Sequence, residues 1–154
     1  MCGGADILTD SNRLAQSALG TLSLSTLKSF DATHEGTILG EGAGFLVLQR
    51  EGGSATRVLA RLVGAGASND AAGLTAPDEQ GNGIRLALQR ALTQAGLEPG
   101  DIALINAHGS GTLTNDRVES NSYNQIFTHR PCVFATKGNF GHTLGAIGAL
   151  EDIA

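Results

Sequence analysis

Aromatic residues are scarce in this chain: no tryptophan, one tyrosine and five phenylalanines among 154 residues. Cations are outnumbered too, with ten Lys and Arg against fifteen Asp and Glu and a net charge of -5. Binding a phosphate backbone needs surplus positive charge, and no stretch interleaves aromatic with basic residues, so nucleic acid is not expected as a partner. No window reaches the length of a membrane span, and the N-terminus lacks a basic stretch leading into an apolar core. Neither a membrane nor secretory export is therefore expected, and the cytoplasm is the expected location. Cysteine is scarce as well. Cys2 and Cys132 are too few and too far apart for a disulfide framework or a zinc cluster, and both are expected to be small core residues. His108, His142 and an acid lack a characteristic ligand spacing, so no metal is expected.

What is present is glycine, 22 residues of it, in a chain that is 41% hydrophobic. That combination suggests a globular protein with many turns and closely packed backbones. The segment Met1 to Asp6 reads as a buried strand emptying into a loop, and Leu14 to Leu27 as loop with some helix. The glycine cluster from Gly40 to Gly44 lies between apolar runs and predicts a strand, a bulge or tight bend, and a second strand. Glu51-Gly52-Gly53-Ser54 is the best candidate for a linker or hairpin loop.

Beyond it the pattern becomes a βαβ unit. A strand is expected at Val58 to Val63, followed by a loop through Pro77. Ile84, Leu88, Ala91, Leu92 and Ala95 keep helical spacing, Gly96 stands where a helix should stop, and Pro99 bars continuation. Ile102 to Ile105 is a continuous apolar run, expected as a strand buried on both faces of a parallel sheet. Asn115 or Asp116 can cap the next helix, with Val118, Ile126 and Phe127 as a sparse apolar face. Cys132 to Ala135 reads as another strand, and His142 to Ala154 as a helix that stops without a cap, so the chain is expected to be part of a longer protein.

Two glycine-bounded motifs fall at the carboxyl ends of the last two strands: Asn106-Ala107-His108-Gly109-Ser110-Gly111-Thr112, and Thr136-Lys137-Gly138-Asn139-Phe140-Gly141-His142. Ligands of open α/β sheets bind at such strand ends. Taken singly, a histidine there is more often structural than catalytic. Two neutral imidazoles aimed at one thioester oxygen, however, each offer an N–H donor that stabilises an enolate, the species left when a malonyl thioester loses carbon dioxide. The helix after His142 is expected to keep that ring neutral through its N-terminal dipole. Lys137 needs a carboxylate nearby, and Glu151 is the nearest downstream candidate. His34 and His129 fall in polar loops and are expected to be solvated. A serine-hydrolase arrangement of Ser110, His108 and Asp116 fails, because His108 and Ser110 are two residues apart and no nucleophile elbow is present.

These motifs resemble the β-ketoacyl-acyl-carrier-protein synthases, condensing enzymes of the thiolase-like superfamily. Ser29-Phe30-Asp31 followed by Gly36 to Gly44 is similar to the family's Pro-Phe-Asp and Gly-Glu-Gly-Ala-Gly segments, and Asn106 to Asp116 to its histidine loop. The resemblance implies an α/β fold of the thiolase type, two layered halves with mixed five-stranded sheets, incomplete in this chain. Residues 1–50 would end the first half, 51–57 would link, and 58–154 would form most of the second. It implies that His108, His142 and Lys137 are catalytic, that Ser110 and Thr112 hydrogen-bond the phosphopantetheine arm, and that Glu151 pairs with Lys137. Ser110 replaces the commoner threonine, while Asn115, Asp116 and the Gly40 to Gly44 cluster are expected to be structural.

The implied reaction is the decarboxylative Claisen condensation of acyl and malonyl thioesters in fatty acid or polyketide synthesis. Substrates would ride on the 4'-phosphopantetheine of acyl carrier protein, with no other cofactor, in a homodimer or a synthase heterodimer. The family's nucleophilic cysteine would lie before residue 1 and its Gly-Phe-Gly-Gly element after Ala154. Neither Cys2 nor Cys132 occupies the nucleophile's position, so the chain alone is expected to be inactive in condensation and poorly stable. The alternatives are a non-catalytic partner like the chain-length-controlling subunits, or an inactive gene product. Retention of His108, Lys137 and His142 favours the synthase.

Overall fold

A computed structural model describes residues 1–53, 57–73 and 75–154. Two small sheets organise it. In the first, β1 (Cys2–Asp6) pairs antiparallel with β2 (Gly42–Leu46), and in the second, β3 (Leu104–Asn106) pairs parallel with β4 (Cys132–Phe134). Around them lie α1 (Asp10–Ala18), α2 (Asn82–Ala95), α3 (Leu113–Ile126), the single turn α4 (Lys137–Phe140) and α5 (Ile147–Ile153). Short 3-10 turns cover Pro99–Asp101 and Leu144–Ala146.

The end of the chain folds back on its beginning. Helix α5 and the turn before it pack on the β1–β2 sheet. Small residues permit this: a Cβ at Gly4 would stand 2.2 Å from the Gly145 carbonyl oxygen, and one at Gly40 would stand 2.1 Å from that of Phe140. Two backbone bonds complete the junction, His142 N to Ile38 O at 2.7 Å and Gly40 N to His142 O at 3.1 Å.

Helix α2 ends where the sequence places it. Gly96 takes a left-handed conformation (φ 67°) and Leu97 N–H returns to Leu92 O, closing the helix before Pro99. Helix α1 starts before the Leu14 to Leu27 stretch expected as loop with some helix and is capped by the Thr9 hydroxyl, which accepts from Asn12 N–H at 3.1 Å. Helix α3 begins after Thr112, not at Asn115 or Asp116, both of which lie inside its first turn. Val118 on it and Phe127 just past its end are buried as expected, and Ile126 is half-buried.

Several expectations change. Residues 58–63 form no strand; the chain passes close along α2, where a Cβ at Gly66 would meet Ala87 O at 1.9 Å, and Val58, Leu59 and Leu62 are exposed. The apolar run had signalled extended chain, but a strand also needs a hydrogen-bonding neighbour. Strand β3 is not buried on both faces, since Leu104 is 56% exposed. Cys2 and Cys132 are exposed rather than core residues. Leu104, Cys2 and Cys132 lie on sheets of only two strands, which leaves them exposed. The linker candidate at 51–57 falls partly outside the described residues, at 54–56.

The most enclosed region is polar. Thr37, Ser110, Asp116, Glu119, Ser122, Thr136, Lys137 and Thr143 are buried, against Leu27, Ala107, Val118, Phe127 and Ala146 among the apolar side chains. Burying so many polar groups is costly unless each finds a partner, and the Thr37, Thr136 and Thr143 hydroxyls have none, so the buried polar residues around Lys137 point to the site.

Candidate active site

Parallel pairing of β3 with β4 brings two loops side by side. The register Asn106 to Phe134, followed by Ala107 N–H bonding to Phe134 O at 2.8 Å, sends His108 and Lys137 out from adjacent strand ends. His142 arrives from the next turn. Its imidazole lies edge-on to that of His108, with ring centroids 5.3 Å apart and planes at 79°. The fully buried Lys137 donates from Nζ to Glu151 Oε1 and to the His108 carbonyl oxygen, so the family lysine, its acid and the first histidine meet at one point.

Both imidazoles are held neutral, with pKa values lowered to about 4. Burial is the leading cause for each. For His108 the next is the charge of Lys137; for His142 it is His108, then Lys137. His108 keeps an open side toward solvent. Its shift therefore rests on the crowding of protein atoms around the rest of the ring and on the adjacent ammonium, and both act in the same direction. The expected helix dipole is not the cause for His142. Helix α5 starts at Ile147 and has seven residues. Instead, the imidazole reaches the turn in between: its Nδ1 accepts from Leu144 N–H at 3.2 Å, which puts the ring proton on Nε2.

The histidine loop is moulded by two carboxylates one turn apart on α3. Glu119 accepts from His108 N–H at 2.6 Å and Gly109 N–H at 2.8 Å, and Asp116 accepts from Gly111 N–H at 3.1 Å. Asn115 Nδ2 bonds to both acids, and Tyr123 OH donates to Glu119 at 2.5 Å, with burial and the carboxylate raising the phenol's pKa. Gly109 and Gly111 adopt positive φ (46° and 79°), and a Cβ on Gly111 would stand 2.6 Å from Gly36 O, so the loop can take this path only as glycine.

Ser110 is buried, its Oγ 2.9 Å from Thr112 Oγ1, and Thr112 remains partly accessible beside it. His129 is exposed and bonds through Nε2 to Ile102 O at 2.7 Å. His34, expected to be solvated, instead places Nδ1 3.2 Å from Asp116 Oδ2. Glu119 and Tyr123 belong to no motif of the sequence, yet both brace the loop. Their spacing from Asp116, three and seven residues on one helix face, was the available signal. Among the described residues no three His, Cys, Asp or Glu side chains gather into a metal-binding group.

Comparisons with known proteins agree along the whole chain. Residues 1–52 match the N-terminal domain of beta-ketoacyl synthase and residues 59–154 the C-terminal domain. A 3-oxoacyl-[acyl-carrier-protein] synthase 2 of Mycobacterium tuberculosis is 34% identical over 99% of the chain, and a mitochondrial 3-oxoacyl-[acyl-carrier-protein] synthase of Arabidopsis thaliana is 39% identical over 82%. The chain spans 40% of the first relative's length and 29% of the second's. Among solved structures, a Xenorhabdus doucetiae ketosynthase in complex with its chain length factor superposes with a TM-score of 0.88 at 38% identity, over 97% of this chain and 36% of that one. A Burkholderia phymatum beta-ketoacyl synthase superposes equally well, at 32% identity over 98% and 39%. With both family domains matched and the fold shared with these structures, the fold is the thiolase-like one and the chain belongs to the β-ketoacyl synthase family.

Proposed function

We propose that this protein supplies the decarboxylating half of a 3-oxoacyl-acyl-carrier-protein synthase site, with His108 and His142 as paired oxyanion donors. The edge-on pair of neutral imidazoles, with the His142 proton directed to Nε2, is the observation that carries this reading. When a malonyl thioester loses carbon dioxide, the electrons of the breaking C–C bond move onto the thioester oxygen. Two N–H donors converging there stabilise the enolate by a few kcal/mol each (~3 per donor). A protonated imidazole would also donate, but it would place a second cation beside Lys137.

Lys137 acts from beneath. Paired with Glu151 and bonded to the His108 carbonyl, it fixes the loop and disfavours protonation of both rings. Thr112, with Ser110 behind it, offers a hydroxyl to the phosphopantetheine arm. Acyl carrier protein would deliver the substrate in the cytoplasm, with no further cofactor, and the protein would work as a homodimer or beside a second synthase subunit. Residues 1–50 and 58–154 would then belong to the two halves of the fold, joined through 51–57. The enolate carbon would attack an acyl thioester held on a cysteine that corresponds to neither Cys2 nor Cys132.

Carbon dioxide release from malonyl-pantetheine by the folded protein tests the proposal. Release above background that falls by about two orders of magnitude in His108→Ala and His142→Ala is expected. No release from a folded sample, or release that survives both substitutions, contradicts it.

A further inference from the structure

The carboxylate of Asp116 is 2% exposed and has four partners. Oδ1 accepts from Gly111 N–H and Asn115 Nδ2, and Oδ2 from Phe30 N–H at 2.7 Å and His34 Nδ1 at 3.2 Å. Three of these donors are neutral amides. His34 is the one side chain that the 29–36 segment brings to it among the described hydrogen bonds.

Phe30 shows why that matters. It is a bulky residue in the left-handed region (φ 59°), a conformation that persists only where the surroundings over-determine it. The restraints are the Asp116 bond to its own N–H and the bond from Ser29 Oγ to Gly109 O at 2.5 Å. A Cβ on Gly109 would in addition meet the Phe30 ring at 3.1 Å. The 29–36 segment thus forms the outer wall of the histidine loop, and one buried anion ties the two together.

We propose that His34 is a positioning residue of the site: as the Nδ1 donor to Asp116 it locks the strained Phe30 backbone and the Gly111 turn against each other. Since an ionised carboxylate can only accept, His34 carries its proton on Nδ1, opposite to His142, whose Nδ1 accepts. Asp31 and Glu35 are the other charged groups of the 29–36 wall; Asp31 accepts from Thr33 and Glu35 from Ser23 and Ser25, and neither contacts Asp116 among the described hydrogen bonds.

Histidine-selective nitrogen NMR of the unmodified protein reads the claim directly, with the His34 signal assigned by its loss in His34→Asn. A protonated Nδ1 is expected; an unprotonated one overturns the proposal. His34→Ala should speed amide exchange at Phe30 and Gly111 about tenfold, leaving His108 and Gly109, held by Glu119, within about twofold. His34→Asn, whose amide can replace the Nδ1 donor, should restore slow exchange. Unchanged exchange in the alanine variant, or no rescue by asparagine, also overturns it. Should His34→Ala fail to fold, the asparagine variant and the spectrum of the unmodified protein decide. The activity arm rests on the proposed condensing function: His34→Ala should raise KM for malonyl-pantetheine more than it lowers kcat. An unmodified protein without decarboxylase activity would refute that function, while the spectra and exchange rates would still judge His34.

Discussion

The two loops of the site are held in different ways. His108 to Thr112 is gripped by charge: Glu119 and Asp116 take up its backbone N–H groups, and neither the loop nor the acids could relax without leaving a buried polar group unpaired. Thr136 to Leu144 is gripped mainly by contact. It lies against the Ile38 to Gly40 backbone through ladder bonds at His142 and through glycines that leave no room for a side chain. Lys137 and Glu151 join the two. The first mode gives orientation of N–H groups, the second gives proximity, and an edge-on imidazole pair needs both.

Breaking the joint should have the largest effect. Glu151→Ala leaves the buried Lys137 ammonium without its counter-ion and is expected to cost about 3–5 kcal/mol in a denaturation experiment. Replacing both partners, as in Lys137→Met with Glu151→Leu, should recover most of that stability while abolishing decarboxylation, which separates the structural role of the pair from its electrostatic one. Next comes the contact-held loop. Gly40→Ala must push a methyl into the Phe140 carbonyl and is expected to cost about 1–3 kcal/mol and to displace His142, seen as lost activity with His108 still in place.

The charge-held loop should tolerate a single loss better. Tyr123→Phe removes one of four donors to Glu119, with an expected cost of about 1 kcal/mol and a small rise in amide exchange at His108. Acidification should have the smallest effect on chemistry. Both rings stay neutral in the folded protein down to about pH 4, so decarboxylation should change by less than about twofold between pH 7 and pH 5.5. Stability moves differently. The unfolded chain binds protons at ordinary histidine values near 6.5 and the folded one does not. Stability is therefore complete above that value and declines as pH falls toward 4, which denaturation midpoints across the window would show.

How much of this was legible in the sequence follows the same division. The glycine-bounded motifs pointed to His108, Lys137 and His142, which the structure brings together, because short-range backbone demands leave glycine signatures beside such side chains. Gly96 and Pro99 marked the end of α2 for the same reason. The clamp residues Glu119 and Tyr123 were passed over because their helix looked like a sparse apolar face, whereas it turns its acids inward. The His34 contact spans 82 residues and has no local pattern at all. Strand burial was misjudged at β3, and a strand expected at 58–63, because an apolar run reports a preference for burial and not the presence of a neighbouring strand or layer. The short α4 turn was invisible, four residues being too few to show a period.

The chemistry rests on two neutral imidazoles standing as a matched donor pair. Nitrogen-15 spectra of His108 and His142 from pH 8 to pH 4 read out that state. Both rings neutral at pH 6, with His142 protonated on Nε2, is the predicted result; an imidazolium signal from either ring at pH 6, or a proton on His142 Nδ1, would contradict it.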